Sequence, residues 1–326
     1  MPTTMKQLTY EDYLEYARSH DSIEVNGSRI SLEPIRVERL APREGEVTDT
    51  STTVWSFPRR GTWATHRGDY RGNWPPQMAR VLIQRYTRPG ETVLDPMVGS
   101  GTTCIEARLL ARNCIGVDVS MEALMLTLHR LYWLDRALEG MLESGVEVVE
   151  HEYGETRIRD MLEARIEVYH GDARSLTTLG DESIDLVATH PPYYRIIRYS
   201  RSERSPGDLS TARSLEAYLD MLEEAAREAY RVLKPDRHMA ILLGDTRIRR
   251  HYVPLTSYAL ARLLRAGFLL REEVVKLQHN MKTTREKWSR LKERDFLLIY
   301  HEKLYILRKP SSEKDRKRYR YSGGLF

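Results

Sequence analysis

The sequence predicts an α/β protein built on a doubly wound, mostly parallel sheet with an antiparallel edge strand. From residue 92 onward, short apolar runs alternate with helical periodicity, the pattern of a parallel sheet with helices on both faces. A glycine loop, "DPMVGSGTT" (95–103), joins the first of these runs to the first of these helices. Two late apolar runs, 271–279 and 295–309, supply the final strands and the expected antiparallel edge.

In chain order, residues 1–58 show no sustained period. Within them "TYEDYLEYARSH" reads as a short helix and "EVNGSRISLEP" as a hairpin about Asn26-Gly27. The segment 59–77, "RRGTWATHRGDYRGNWPPQ", turns to glycine, tryptophan and charge, which suits a structured loop. A helix starts at Met78 and stops before Pro89-Gly90. Strands are expected at 92–99, 114–120, 166–173, 184–190 and 238–247, with helices at 101–112, 121–138, 214–235 and 256–265. Residues 140–165 form a polar, partly helical insertion, and only the tail after Lys309 reads as disordered. The expected division is therefore an N-terminal extension (1–58, a candidate substrate-binding element), a main domain (59–310) and a basic, flexible tail (311–326).

Composition narrows the function classes. An apolar fraction of 41% in 326 residues sustains a full core. No run of 18 apolar residues offers a membrane helix, so no membrane partner is expected. The first residues contain acids and no apolar stretch, unlike a secretory signal, and a cytoplasmic location is expected. Cys104 and Cys114 permit at most one bridge and cannot make a four-thiolate metal centre, so no metal site is predicted. The net charge is only +4, but 41 of the 51 Lys and Arg residues are arginine. They cluster at 195–204, 247–251, 282–294 and 314–320. Arginine forks grip phosphate, so these clusters fit a nucleic-acid partner; an Arg-biased solvated surface is the bland alternative.

The glycine loop lies where a strand gives way to a helix, at the carboxyl edge where doubly wound sheets bind ligands. Gly99 and Gly101 let the backbone turn tightly beside a ligand. A dinucleotide fingerprint would need glycine where Cys104 stands, and a P-loop would need Gly-Lys-Ser/Thr. Three carboxylates near strand ends point to a different ligand. Asp118 could hold two ribose hydroxyls, Asp172 could accept from an adenine amino group, and Asp95 could meet a cationic end. A ligand with an adenosine and an ammonium group but no phosphate is S-adenosylmethionine.

The fourth strand ends in "VATHPPYYR" (187–195). Prolines donate nothing to a ladder and stiffen the chain, so this is a rigid elbow at the mouth of the crevice. The two motifs together resemble the amino-methyltransferases of nucleic acids, which alkylate exocyclic amines. Their glycine motif resembles D-P-F-x-G-S-G-T-T, against Asp95, Pro96, Met97, Val98, Gly99, Ser100, Gly101, Thr102 and Thr103 here. Their elbow is (Asp/Asn/Ser)-Pro-Pro-(Tyr/Phe/Trp), against His190, Pro191, Pro192 and Tyr193.

The resemblance covers roughly residues 60 to 310 and implies a Rossmann-like methyltransferase domain with S-adenosylmethionine as cofactor. It implies cofactor contacts from Asp95, Pro96, Gly99, Gly101, Thr102, Asp118 and Asp172, with Trp63, His66 and Trp74 as candidates over the methionine end. It also implies that the Pro191 carbonyl and the residue before it accept from the amine, while Tyr193 stacks on a flipped-out base. Tyr194 is a candidate second stacking surface, and Arg195, Arg198, Arg201 and Arg204 candidate phosphate contacts.

His190 is the main departure from the family pattern. Neutral imidazole is an uncharged acceptor, closer to the serine type that accompanies cytosine N4 than to the aspartate type that accompanies adenine N6. The expected activity is therefore methylation of cytosine N4 in DNA. Cytidine N4 in a structured RNA, adenine N6 in DNA, and a non-catalytic nucleic-acid binder are the alternatives. Carbon-5 chemistry is disfavoured because neither cysteine follows a proline. A restriction endonuclease partner is left open.

Overall fold

The computed structural model describes residues 4–25, 27–47, 50–152, 154–194, 207–279 and 295–324. Arg195, Arg198, Arg201 and Arg204, and the basic cluster 282–294, lie outside the described residues.

The chain opens with β1 (Lys6–Leu8), α1 (Tyr10–Ser19) and a hairpin, β2 (Ser22–Val25) with β3 (Ser28–Ser31). Next come β4 (Val54–Ser56) and α2 (Pro76–Tyr86). The strand–helix alternation follows as β5 (Thr92–Asp95), α3 (Thr102–Leu109), β6 (Asn113–Asp118) and α4 (Met121–Glu143). The insertion holds a hairpin, β7 (Val148–His151) with β8 (Gly154–Arg157), and the short α5 (Ile158–Glu163). Then come β9 (Ile166–His170), β10 (Ile184–Thr189), α6 (Leu215–Val232) and β11 (Leu233–Leu243). A hairpin, β12 (Thr246–Ile248) with β13 (His251–Val253), leads to α7 (Leu255–Arg265), β14 (Leu269–Leu277), β15 (His301–Arg308) and α8 (Glu313–Arg318). Ser120 and Ser214 cap α4 and α6 by accepting from the backbone of Ala123 and Ala217.

Nine strands form one sheet in the order β1-β9-β6-β5-β10-β11-β15-β14-β4. The chain winds from β5 through β6 to β9, then returns to place β10 on the other side of β5, and all these pairs run parallel. The carboxyl ends of β5 and β10 therefore flank the point where strand order reverses, which is where such sheets open a crevice. Alternation explains the near-continuous apolar strands. On β11, Met239, Ile241 and Leu243 face the layer of α6 and α7, while Ala240 and Leu242 face the layer of α2, α3 and α4.

Three differences from the sequence reading have physical causes. The antiparallel strand β15 lies inside the sheet, bonded to β11 on one side and β14 on the other; the antiparallel edge strand is β1, on β9. Residues 1–58 are woven into the domain, since β1 and β4 are its two edge strands and Tyr13, Ile23 and Trp55 belong to its core. The tail expected to be flexible contains α8, capped by Ser312. Asp315 accepts from Arg308 at 2.9 Å, and Arg316 donates to the Tyr230 hydroxyl at 3.1 Å.

The segment before α2 is pinned by one buried carboxylate. Glu106 on α3 accepts from Trp63 Nε1 at 2.6 Å and Arg80 Nη1 at 3.0 Å, and bonds His66 Nε2 at 2.7 Å. Burial works against its charge, but His66, Arg80 and Trp63 together hold this carboxyl below its ordinary value. Trp63 and His66, expected over the methionine end of a cofactor, are thus corrected to structural roles. They are 0% and 3% exposed, with Trp63 Nε1 and His66 Nε2 committed to Glu106. Glu106→Ala would strand a buried guanidinium and two ring nitrogens. It should lower the free energy of unfolding by about 3–5 kcal/mol; a denaturant midpoint equal to that of the parent would refute this account.

Candidate active site

The glycine loop leaves β5 at Asp95 and enters α3 at Thr102. Gly99 and Gly101 both have left-handed backbone, φ 54° and 84°, and Gly101 is the N-cap of α3. A side chain at 101 would meet Thr127 Cγ2 at 2.9 Å, so the loop needs glycine there to lie flat on α4. Thr127 Oγ1 donates to the Gly99 carbonyl at 2.8 Å and Arg130 Nη1 to the Ser100 carbonyl at 3.1 Å, which fixes the loop from behind.

Two carboxylates organise this loop. Asp95 is 3% exposed and accepts from Thr103 Oγ1 at 2.5 Å, Thr189 Oγ1 at 2.9 Å and the Met97 N–H at 3.2 Å. Asp118, at the end of β6, accepts from the Gly99 and Ser120 N–H groups, each at 2.9 Å. Burial pushes both carboxyl groups up to about 6, against the bonds they accept. The N–H groups of Met97, Val98, Gly99 and Gly101 all donate within the protein, so this loop is no phosphate cradle.

The loop opens into a cleft of about 2730 Å3. Pro96, Gly99, Thr102, Asp118 and Trp74 line it, and His190 and Pro192 line it from the elbow. The β2–β3 hairpin and the segment 207–213 contribute the outer walls. Small-ligand pockets span roughly 300–1,000 Å3, so one cofactor leaves most of this space for a second ligand. Thr102 Oγ1 is buried in the lining with no hydrogen-bond partner among the described residues. A buried, unpartnered hydroxyl and the half-buried Asp118 carboxylate in one lining suit the hydroxyls and cationic end of S-adenosylmethionine, whereas the committed loop N–H groups do not suit a pyrophosphate.

Other predicted site residues fall differently. Gly101 shapes the turn without lining the cleft, and Trp63 and His66 are likewise outside the lining. Asp172 lies just past β9, but Arg174 folds back on its carboxylate through Nη2 at 2.7 Å and Nε at 3.1 Å. Its oxygens are thereby committed, and the cleft is lined by His170 and Ala173 instead. Tyr194 is 4% exposed and packs 5.9 Å from the Tyr218 ring in the core against α6, so it presents no stacking surface.

The elbow follows β10. Tyr218 Oη donates to the Pro192 carbonyl at 3.0 Å and anchors it to α6. His190 packs its ring 6.2 Å from Trp74, nearly parallel, and its Nε2 lies 2.7 Å from Tyr193 Oη. Tyr193 Oη in turn donates to Glu302 Oε1 at 2.6 Å, and its ring edge rests on Gly244, where any side chain would stand 2.8 Å from Cε2. Burial pushes His190 down to about 4, so its imidazole is neutral at pH 7. Sequence reasoning misses Thr189, Asp208, Lys276 and Glu302. Lys276 and Glu302 carry no distinguishing signal, because β14 and β15 hold other charged residues that stay nearer solvent.

Residues 7–128 and 184–323 match a family model described as DNA methylase, and residues 68–205 match the RMKL-like methyltransferase domain. The Type II methyltransferase M2.MboI of Moraxella bovis is 33% identical over 86 residues, 26% of this chain and 32% of that protein. The tRNA (guanine(10)-N2)-dimethyltransferase of Methanothermobacter thermautotrophicus is 31% identical over 125 residues, 38% of this chain and 29% of that protein. The chain thus spans about a third of the length of these curated relatives. The crystal structure of TrmN from Thermus thermophilus aligns at 23% identity and a TM-score of 0.39, covering 73% of this chain and 50% of that one. The family match spans well over half of the residues, and the chain belongs to the DNA methylase family of S-adenosylmethionine-dependent amino-methyltransferases.

Proposed function

We propose that the protein transfers a methyl group from S-adenosylmethionine to the exocyclic amine of a flipped-out nucleic-acid base, with cytosine N4 in DNA as the target. One observation carries the reading. The glycine loop and the elbow leave adjacent parallel strands, and His190 and Pro192 of the elbow line the same cleft as the loop, while Pro191 and Tyr193 stand behind that lining.

S-adenosylmethionine supplies an electrophilic methyl group when bound. Asp118 and Thr102 are the residues placed to hold it, with Pro96 and Gly99 giving close backbone approach. The elbow then acts on the nucleophile. An aromatic amine has its lone pair delocalised into the ring and reacts only as its geometry shifts toward tetrahedral. Acceptors at its N–H bonds favour that shift, and the Pro191 carbonyl and His190 are those acceptors here. Anchoring by Tyr218, Glu302 and the prolines keeps them in place without reorganisation. The neutral imidazole supports cytosine N4 over adenine N6, because it accepts as an uncharged group. The arginine clusters of the sequence support a phosphate-bearing substrate. The 1–58 segment is assigned to substrate binding, since the β2–β3 hairpin forms a wall of the cleft.

Nucleoside mass spectrometry after incubation with isotope-labelled cofactor and either total DNA or total RNA tests the assignment. Labelled N4-methylcytosine in the DNA fraction is the expected product. N4-methylcytidine in RNA would move the substrate to RNA; N6-methyladenine or N2-methylguanosine would overturn the base; no labelled nucleoside would overturn the activity.

Two substitutions separate the half-sites. Tyr193→Ala should weaken nucleic-acid binding by about 1–3 kcal/mol with cofactor affinity retained. Asp118→Ala should weaken cofactor binding by about 1.5–3 kcal/mol and spare the nucleic acid. Calorimetric titration of each ligand reads both, and a loss in the opposite half would refute the division. Cofactor affinity should also fall between pH 7.5 and pH 5.5. Asp95 and Asp118 take up protons near pH 6, and the charge that attracts a cation disappears. A flat titration across that window would remove Asp118 from the cofactor site.

A further inference from the structure

Lys276 on β14 and Glu302 on β15 stand opposite each other in the sheet register. Their side chains pair at 2.7 Å and are both buried. A buried ion pair is weak evidence for stability, because well-packed apolar residues often serve as well. The second oxygen of Glu302 gives this pair another use, since it receives the Tyr193 hydroxyl at 2.6 Å.

That hydroxyl also meets His190 Nε2 at 2.7 Å, and a phenol has a single proton to share. Burial works against the charge of Glu302, yet the Lys276 ammonium and the Tyr193 hydroxyl hold its carboxyl below the ordinary value. It is a carboxylate and accepts only. Tyr193 must therefore donate to Glu302, and His190 must donate its Nε2–H to the Tyr193 oxygen. Around the imidazole, Glu302 and the Gly72 backbone favour a second proton; burial and the Lys276 and Arg60 cations oppose it and win. The remaining nitrogen, Nδ1, is buried; it keeps its lone pair and closes no hydrogen bond among the described residues.

We propose that Glu302, held in place by Lys276, is a positioning residue of the elbow: acting through Tyr193, it fixes His190 as the Nε2–H tautomer, so that Nδ1 is an acceptor. The functional part rests on the amine-methylation reading above. An amine N–H needs an acceptor, and the opposite tautomer would set a second N–H at Nδ1. The chain Lys276, Glu302, Tyr193, His190 thus converts a charge pair inside the sheet into the hydrogen-bonding polarity of a side chain at the cleft.

The test is the tautomer itself, read by long-range proton–nitrogen correlation in protein labelled with nitrogen-15 histidine, with His190→Gln assigning the signal. The parent should show His190 protonated at Nε2. In Lys276→Met/Glu302→Leu, Tyr193 loses its carboxylate, turns its proton to Nε2, and the tautomer should switch to Nδ1–H. The kcat of methyl transfer should fall about 10- to 100-fold while cofactor affinity holds. If that double variant does not fold, Tyr193→Phe removes the hydroxyl link and should leave the two tautomers mixed. A parent signal protonated at Nδ1, or a tautomer unmoved in the folded variants, overturns the proposal. A switched tautomer in a protein whose parent methylates no nucleic acid would overturn the activity and leave the relay standing. An unmoved tautomer beside a working parent would do the reverse.

Discussion

Asp95 is the constraint on which the site depends. It ends β5, yet it spends its carboxylate on Thr103 at the start of α3 and on Thr189 at the end of β10. One buried group therefore joins the glycine loop to the strand whose next residue is His190. A buried carboxylate is costly to leave unsatisfied, so three donors converging on Asp95 make any relative shift of loop and elbow expensive. The prolines stiffen the elbow internally, and this bond, together with the β5–β10 pairing, sets where it stands with respect to the loop. The two half-sites are held in common register by hydrogen bonds contributed from within their own motifs.

Much of this was legible in the residues. The alternation from residue 92, the loop at 95–103 and the elbow at 190–193 survive in the structure, because each is local: period, glycine and proline act within a few residues. What failed was the reading of side chains whose fate is set at long range. Trp63 and His66 sit in a segment of glycine and charge that suits a loop over a ligand. Glu106, some 40 positions away, claims them. Asp172 reads as an acceptor at a strand end, and Arg174 fills it, although a cation two residues on is a visible warning. Tyr194 differs from Tyr193 only by the alternation of an extended chain, which sends one ring toward Gly244 and the other into the core. The β1 and β4 edges were invisible because strands of three residues carry no period.

The same logic accounts for the polarity of the cleft. In nucleotide folds that bind pyrophosphate, a glycine loop presents open N–H groups to an anion. Here Asp95 and Asp118 consume loop N–H groups, and others close turns within the chain. The loop keeps the tight backbone of a phosphate site while the N–H groups of Met97 and Gly99 are spent on the protein's own carboxylates and those of Val98 and Gly101 on backbone carbonyls. The lining then holds a partly buried anion and a buried, unpartnered threonine hydroxyl, complementary to a cation and to sugar hydroxyls. Missing the third glycine at Cys104 is part of this exchange. The thiol is fully buried and packs 3.1 Å from Cys114 in the core, so the helix is set by apolar contact rather than by approach to a ligand. In the proposed cofactor site, a preference for a phosphate-free nucleoside would follow from which groups the loop's own hydrogen bonds leave over.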